Sequence, residues 1–514
     1  MTKLIKEKIF HDVKKDLYLE KKASDVILKH SSKNKRVTVT LNNNEPFYIY
    51  YKKFKTREIM RDNPNTNWFK YVVKKIKKEI YKRSYKESYL ITLFEGCNQD
   101  DLDVTDSNIH IKKAWTNSNQ HVLHAYLTRN DIITLERQNV GKIDSYHTDS
   151  YVEIPEQDGY PAFKPKLATL NSTKQFGIFL GDSCSTQPFR DVGIFESSRA
   201  GGPRFFPLID EVNGVYNPNV VYIFIFDTGI APHLSLNINR ARSRNYVPGN
   251  NGNINRNDWT DRNGHGTHVA GIAAGIPRGL PNTVGDVTGI ASGNQVISYK
   301  VLPDNGSGAQ ESWLQEAVND IHLFINQNVG ANVVVNMSLG SDGGFRGTLR
   351  ELVGRGVTVV AAAGNGQNFG GTYRGVNMRT FFPAAEQGVI AVGALGRGSF
   401  NIPGQPIIAL LWERSNFGED VDILAPGQGI PSTWLNPVQS FQPNNFFYRC
   451  QNGTSMATPM VTGAVALIMA NNRRNGTPQN PRQIRDRLRT LATRLRDRGF
   501  PENTPALRLN VSQL

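Results

Sequence analysis

Short apolar runs alternate with helical patterns through the second half of the chain. The helical stretches are GTHVAGIAAG, SWLQEAVNDIHLFINQ, GTLRELVGR and TSMATPMVTGAVALIMA. Between them lie strand-length runs with almost no polar interruption: VVYIFIF, QVISYKVL, ANVVVNMSL, GVTVVAAAG, GVIAVGAL and VDILAPG. Strands of this kind are typical of a parallel sheet that helices cover on both faces. The pattern therefore predicts an α/β fold, with ALRLNVSQL as a terminal strand.

The first part of the chain has a different pattern. NWFKYVVKKIKKEIYKR has apolar residues at helical spacing, and RVTVTLNNNEPFYIYY resembles a hairpin broken at its Asn run. SYLITLFEG predicts a strand, and HVLHAYLTRNDIITLERQ predicts a strand that leads into a helix capped by Thr128. KIDSYHTDSYVEI predicts a further strand pair. The order of elements gives four segments: an extension over 1–87, a small α+β domain over 88–154, a linker over 155–200 and the α/β domain over 201–514.

The charge of the chain is concentrated at its front. The 514 residues carry a net charge of +15, and residues 1–90 alone hold 24 Lys or Arg against 10 Asp or Glu. A basic appendage on a nearly neutral body suggests a partner of its own, either nucleic acid or an acidic surface. The alternative is a solvated helix face in a Lys- and Asn-rich sequence. The hydrophobic content of 39% is enough for a substantial core.

Three further features bear on location. The three cysteines, Cys97, Cys184 and Cys450, form no disulfide framework and lack the close spacing of a zinc site. The first residues contain no apolar core of a signal peptide, and no apolar run is long enough to span a membrane. We expect an intracellular or virion-associated protein.

An acid, an imidazole and a hydroxyl occur in three short segments in that order. Asp227 follows the apolar run VYIFIF and precedes Thr-Gly, at the carboxyl end of a predicted strand where α/β sheets carry their sites. Aspartic proteases also use DTG, but they need a second copy, which is absent here. His265 lies in DRNGHGTHVAG at the start of a predicted helix. We expect the neighbouring His233 and His268 to be structural, because neither an HExxH motif nor a third ligand accompanies them.

Ser455 stands in NGTSMATP, immediately before a long apolar helix. The unpaired N–H groups and the dipole at a helix N-terminus favour developing negative charge. An ordinary serine N-cap is the structural alternative. Asn365, in GVTVVAAAGNGQN, follows a predicted strand that lies between the histidine and serine motifs. An isolated Gly-Asn is usually a turn.

Together these motifs resemble the subtilase family of serine proteases, in which acid, histidine and serine follow one another in this order. The resemblance covers roughly half of the chain and implies a three-layer sandwich with a mostly parallel central sheet. It implies a serine endopeptidase in which Ser455 is the nucleophile, His265 the general base and Asp227 the residue that orients His265. Asn365 would then donate to the oxyanion. VLPDNGSGAQESWL, SNFG and VDILAPGQGIPSTWL are closest in style to the proteinase K branch.

The resemblance also implies substrate, propeptide and ion sites. Ser338, Leu339 and Gly340 match the segment that pairs with an extended substrate, and Ala362, Ala363 and Gly364 would wall the adjacent pocket. The segment 88–154 resembles the inhibitory propeptide of many subtilases, which would make the chain a self-processing zymogen and 155–200 the processing region. The alternative is an unrelated small α+β domain.

The chemistry requires no cofactor, whereas a structural calcium ion is compatible with the family. APHLSL lacks the acidic residue that many relatives use for calcium, and LPNTVGD resembles a calcium loop only loosely. Asp422, with the carbonyls of Gln387 and Val389, is a weak calcium candidate.

We expect protein or peptide substrates, the chain's own propeptide as a partner, and no membrane span. The competing hypothesis is a non-catalytic binding protein on the same scaffold, with a nucleic-acid-binding basic arm.

Overall fold

The computed structural model describes a set of segments of the chain, and these divide between two compact units, residues 1–148 and 149–514. Each unit is described by itself. The described segments are 26–31, 36–41, 47–50, 86–104, 110–116, 120–152, 154, 221–249, 252–276, 289–342, 349–369, 372–396, 410–435, 447–495, 500–501 and 503–511. The helix expected within residues 67–83, the linker and the loop LPNTVGD all lie outside them.

The first described segments of the first unit form a three-stranded antiparallel sheet made of β1 (Val26–Ser31), β2 (Arg36–Leu41) and β3 (Phe47–Tyr50). The strands are adjacent in chain order, and β2 pairs with β3 from Arg36 opposite Tyr50 to Val39 opposite Phe47. The hairpin expected on either side of the Asn run is therefore confirmed.

A second antiparallel sheet of the first unit has the order β5-β6-β4-β7. Thr128 caps the helix after β6, because its hydroxyl accepts from the Asp131 N–H while the Asp131 carboxylate accepts from the Thr128 N–H. Leu123, Leu127, Ile132 and Leu135 are buried between helix and sheet. The elements are β4 (Glu87–Leu93), β5 (His110–Thr116), β6 (His121–Leu127), helix α1 (Arg129–Gln138) and β7 (Ile143–Thr148).

The second unit is an α/β fold around one large sheet. Its strands are β8 (Tyr151–Val152), β9 (Val221–Asp227), β10 (Arg244–Asn245), β11 (Val296–Lys300), β12 (Ala309–Gln310), β13 (Asn332–Met337), β14 (Ser341–Asp342), β15 (Thr358–Ala362), β16 (Gln367–Phe369), β17 (Thr372–Arg374), β18 (Phe381–Phe382), β19 (Ile390–Leu395), β20 (Ile423–Pro426), β21 (Ile430–Trp434), β22 (Phe447–Gln451), β23 (Thr493–Arg494) and β24 (Leu507–Arg508). Its helices are α2 (His265–Ala274), α3 (Glu311–Gln327), α4 (Arg350–Gly354), α5 (Thr454–Arg474) and α6 (Pro481–Leu491).

Among the described residues, the central sheet has nine strands in the order β10-β11-β9-β13-β15-β19-β20-β24-β23. Every neighbouring pair is parallel except β23 with β24. The six predicted apolar runs supply β9, β11, β13, β15, β19 and β20, and β24 lies in the predicted terminal segment. The mostly parallel sheet that the sequence predicted is confirmed.

Helices cover both faces of this sheet. Along β9, Ile223 and Ile225 pack on one side with residues of α2 and α5, whereas Phe224 and Phe226 pack on the other side with residues of α3. Successive side chains of a strand point to opposite faces, so a strand buried on both sides must be apolar at every position. This is why the runs are nearly uninterrupted, and it gives the three layers of the predicted fold class.

The start of the second unit forms a two-stranded sheet with a short strand of the same unit. β8 runs antiparallel to β12, with Val152 opposite Ala309 and Tyr151 opposite Gln310. β7 pairs with β4 of the first unit instead. The expected pairing within KIDSYHTDSYVEI is therefore wrong, because the two strands of this segment find their partners in different sheets.

Two smaller observations complete the fold. Within the described part of the chain, no helix is long and apolar enough to cross a membrane. Cys97 is a free thiol, whereas Cys450 takes part in a disulfide bond. A chain with too few cysteines for a disulfide framework can therefore still form a single disulfide bond.

Candidate active site

Asp227 and His265 meet at the carboxyl end of the central sheet. Asp227 is the last residue of β9, His265 is the first residue of α2, and both side chains are buried. The His265 Nδ1 lies 2.6 Å from Asp227 Oδ1, which also accepts the Thr228 N–H at 2.7 Å. A carboxylate on Nδ1 fixes the ring and leaves Nε2 as the basic nitrogen. That Nε2 has no hydrogen-bond partner among the described residues.

A second buried carboxylate, Asp261, holds the loops on both sides of this pair. It is fully buried and accepts the Thr228 hydroxyl at 2.9 Å and the N–H groups of Asn263 and Gly264 at 2.9 Å each. It also accepts the Thr267 N–H at 2.9 Å and the Thr267 hydroxyl at 2.6 Å, within the first turn of α2. One carboxylate therefore joins the residue after Asp227 to the residues around His265.

Ser455 is the second residue of α5, directly after the Gly453–Thr454 lead-in. Its hydroxyl is buried and donates to the Ser338 carbonyl oxygen at 3.2 Å, while the Ser338 hydroxyl donates to the Ser455 carbonyl oxygen at 3.0 Å. The serine and the histidine are thus not hydrogen-bonded to each other here. A change of χ1 between staggered wells moves the hydroxyl of Ser455 without moving the helix.

Asn365 and the start of α5 form one hydrogen-bonded group. The Asn365 Oδ1 accepts both the N–H of Thr454 at 2.9 Å and its hydroxyl at 2.8 Å. Because the side-chain amide is planar, an oxygen that points toward Thr454 turns the NH₂ group away from it. The role of Thr454 as a support of Asn365 was not anticipated from sequence, where it was part of the lead-in to Ser455.

A ribbon of two strands connects the helices that carry His265 and Ser455. β21 and β22 pair antiparallel, and β22 ends four residues before Ser455. The ribbon contacts α2 through the Ser432 hydroxyl, which donates to the His268 carbonyl oxygen at 2.6 Å, and the Thr433 hydroxyl, which donates to the Thr267 carbonyl oxygen at 2.7 Å. A Cβ on Gly264, which has φ +105°, would lie 2.5 Å from the Trp434 ring.

The two neighbouring histidines have structural contacts. His268 is buried, its Nε2 donates to the Arg449 carbonyl oxygen at 2.8 Å, and burial lowers its pKa to about 3. The His233 Nε2 donates to the Phe447 carbonyl oxygen at 2.9 Å, while its Nδ1 accepts the Ser235 N–H at 3.0 Å. Both rings therefore bind the ribbon.

The predicted substrate-binding segments lie side by side. Met337 at the end of β13 is in register with Ala361 in β15, so residues 338–340 follow β13 beside the point where β15 ends at Ala362 and the chain continues into 363–364. Gly340 and Gly364 both lie against the Phe381 ring, where an added Cβ would approach to 2.3 and 3.0 Å.

Asp422, the weak calcium candidate, is engaged by protein groups. Its Oδ2 accepts the Ala391 N–H at 3.1 Å and its Oδ1 accepts Arg489 at 3.2 Å, with Arg485 at 3.9 Å. Burial raises the pKa of this carboxyl. Two guanidinium groups stand where a cation would have to bind, so these residues do not fit calcium. No cluster of three potential acidic, His or Cys ligands occurs in the segments that the structure describes.

Comparison with known proteins agrees with this geometry. The model of the subtilase family, Peptidase S8, matches residues 219–504, which contain all four candidate chemical residues. The chain is 35% identical over 288 residues to a subtilisin of Bacillus pumilus, covering 54% of this chain and 86% of that protein. It is also 35% identical over 288 residues to subtilisin E of Bacillus subtilis, covering 54% of this chain and 62% of that protein.

A solved structure shows the same fold. Fervidolysin from Fervidobacterium pennivorans, a keratinolytic enzyme related to subtilisin, matches with a TM-score of 0.55 and 20% identity, over 82% of this chain and 60% of that chain. Since the family model covers more than half of the chain, the chain belongs to the subtilase family of subtilisin-like serine proteases. As in other subtilases, catalysis needs no cofactor.

Proposed function

We propose that the chain is an endopeptidase that cleaves peptide bonds through an acyl-enzyme formed on Ser455. The observation that carries the proposal is the 2.6 Å hydrogen bond between Asp227 and His265, at the same end of the sheet where α5 presents Ser455. A serine hydroxyl becomes nucleophilic only when a base takes its proton, and an oriented imidazole is such a base.

The proposed steps follow from the atoms available. Ser455 Oγ attacks the substrate carbonyl carbon while its proton passes to His265 Nε2. Asp227 stabilises the imidazolium through Nδ1. His265 then donates this proton to the leaving amine as the C–N bond breaks. Water, activated by the same nitrogen, hydrolyses the resulting ester and restores the hydroxyl.

The negative oxygen of the tetrahedral intermediate would be bound by two donors. These are the NH₂ group of Asn365, turned away from Thr454, and the backbone N–H of Ser455 at the start of α5. Both belong to one buried, hydrogen-bonded group, and donors that are held in place before the reaction need not reorganise as charge develops.

Labelling with a fluorophosphonate probe tests this function against a non-catalytic scaffold. We expect the trimmed wild-type chain to be modified at Ser455. The Ser455→Ala variant should show no modification, and His265→Ala should react far more slowly. A folded, trimmed wild-type chain that takes up no label would refute the proposal and favour the binding protein.

The proposal also includes a zymogen, in which residues 88–154 act as an inhibitory propeptide. The support lies at the start of the second unit, where Ser150 O accepts the Glu311 N–H at 2.9 Å and Asp149 Oδ1 accepts the Ser312 N–H at 2.8 Å. Asp149 thereby caps the first turn of α3. Val152 is 1% exposed, and Ile154 donates its N–H to Gly306 O at 2.9 Å. An extended segment that pairs with a short strand of the same unit, β12, in this way resembles a bound peptide.

Self-processing has a direct test. The Ser455→Ala chain should accumulate at full length, whereas the wild type is shortened near residues 155–180, as followed by mass spectrometry of the new N-terminus. Trimming of Ser455→Ala at the same position in a purified preparation would show that another protease makes the cut. The result would remove self-processing but leave the peptidase proposal intact.

A further inference from the structure

A dense group of arginines lies at the C-terminal end of the second unit. Residues 472–495 contain seven Arg, no Lys and a single acidic residue, Asp486. The orientation of α6 is fixed by Ile484 and Leu488, which are 1% and 2% exposed and belong to the main core. The polar side of this helix is therefore held toward solvent.

Four of these arginines form a row, which we call the arginine row: Arg482, Arg485, Arg489 and Arg494. The first three stand at i, i+3 and i+7 on one flank of α6, over about 10 Å of helix rise. Arg489 and Arg494 line the same cavity, so the row continues from the helix onto β23.

Part of this row is held in place. The buried Asp422 contacts Arg489 at 3.2 Å and Arg485 at 3.9 Å. The exposed Arg482 and Arg494 form no ion pair within the described segments. The row thus combines two positioned guanidinium groups with two that can bind an external anion.

The cavity at the end of the row is suited to a flat aromatic group beside a phosphate. It measures about 390 Å³, and its lining includes Arg489, Arg494, Phe500, Asn503 and Thr504. Guanidinium groups bind phosphate with two parallel hydrogen bonds, and aromatic rings stack on bases. The exposed Asn503 amide adds hydrogen-bonding groups for a base edge. The Thr504 hydroxyl only shapes the wall, because it donates to the Pro501 carbonyl oxygen and accepts the Gly418 N–H.

We propose that the arginine row and this cavity bind single-stranded nucleic acid, with phosphates on the guanidinium groups and a base in the cavity. This function is separate from catalysis and would keep the protease near a nucleic acid. An anionic membrane fits less well, because interfacial helices also present large apolar side chains. In the described part of 447–511 no large hydrophobic side chain is exposed.

The test uses the full chain with Ser455→Ala, so that the sample cannot digest itself. Fluorescence anisotropy with a labelled oligonucleotide of about 12 nucleotides is measured over a salt series. Arg482→Gln with Arg494→Gln removes two guanidinium groups of the row. The matched control, Arg487→Gln with Arg350→Gln, removes the same charge from the opposite flank of α6 and from the exposed start of α4.

Loss of two phosphate contacts should reduce the slope of log affinity against log salt by about 1.4, which corresponds to a loss of about 25-fold in affinity at 0.1 M salt relative to 1 M salt. The control should keep the parent slope. Equal losses in both variants, or none in either, would overturn the proposal. The basic residues 1–90 are identical in every sample, so they cannot produce a difference between the two variants.

Two further measurements separate the alternatives. An oligonucleotide with a photoreactive base should crosslink to the peptide that contains Phe500, and crosslinks confined to residues 1–90 would refute the site. Anionic vesicles and polyglutamate should compete poorly with the oligonucleotide. Stronger competition by either one would assign the surface to a membrane or to an acidic protein instead.

Discussion

The structure makes a sharp prediction for Asp261, whose carboxylate accepts five hydrogen bonds without exposure to solvent. We consider Asp261→Ala. The change removes the link between the residue that follows Asp227 and the residues around His265. It therefore tests whether this carboxylate positions Asp227 and His265, the proposed catalytic pair.

The magnitude follows from the groups left behind. The two threonine hydroxyls can rotate toward other acceptors. The N–H groups of Asn263, Gly264 and Thr267 cannot, and each buried donor without a partner costs about 1–3 kcal/mol. Removing a buried charge recovers part of its desolvation cost. We therefore expect the free energy of unfolding of the second unit to fall by about 3–5 kcal/mol, as for other broken buried charge networks.

Two measurements check this prediction. Urea unfolding of Asp261→Ala in the Ser455→Ala background gives the loss of stability. Hydrolysis of a chromogenic peptide by the otherwise active chain should show kcat reduced by about 100-fold with a smaller change in KM, because the imidazole is misplaced rather than removed. Asp258→Ala is the matched control, since this carboxylate forms an exposed pair with Arg262 and should cost under about 1 kcal/mol.

The reasoning would be refuted if Asp261→Ala unfolded within about 1 kcal/mol of the parent, the range of an exposed pair. A large loss of stability with unchanged kcat would be a different result. It would leave Asp261 as a structural residue and remove its positioning role.

Four other changes give distinct readouts. Asn365→Ala should lower kcat about 100- to 1000-fold with little change in KM. Thr454→Val, which removes one hydrogen bond to Asn365, should lower kcat by about 10-fold in the same peptide assay. Effects on KM as large as those on kcat would contradict the oxyanion role of Asn365. Burial lowers the pKa of His268 to about 3, so the unfolded chain binds the proton more tightly. The contribution of neutral His268 to the free energy of unfolding is complete above pH 6.5 and is lost as the pH falls below that value. The loss is about 2–3 kcal/mol at pH 4.5. The free energy of unfolding of His268→Gln, measured with urea, should not show this loss at acid pH. A pH dependence equal to that of the wild type would contradict the assignment to His268. Val152→Asp would bury a carboxylate, so the uncleaved precursor should gain peptidase activity; a fully latent precursor would contradict the role of this segment.

The central sheet could be predicted because its strands are buried on both faces. The run that contains Ile223, Phe224 and Ile225 has no polar position, and such a run fits only a covered parallel strand. Asp227 and His265 could be predicted because short motifs place them at a strand end and at a helix start. Their meeting follows from the topology of parallel strands.

Other features depend on contacts that the sequence does not display. Asp261 looks like an ordinary loop carboxylate, since the donors that make it important converge only after β9 and α2 have packed. The strand β5 contains Lys112 and Lys113 within a short segment, which weakens its apolar signal. The helix α6 and its arginines were missed because their charge is cancelled by acidic residues elsewhere in the same part of the chain.

The ribbon formed by β21 and β22 has a mechanical consequence. Its Ser432 and Thr433 hydroxyls donate hydrogen bonds to the first turn of α2, the helix that begins at His265. Its second strand, β22, ends four residues before Ser455. The proposed base and the proposed nucleophile are therefore both attached to one ribbon, so thermal displacement of one side chain tends to carry the other along. Lengthening this ribbon, or removing its hydrogen bonds to α2, would make the relative position of His265 and Ser455 less well defined while leaving both side chains chemically intact.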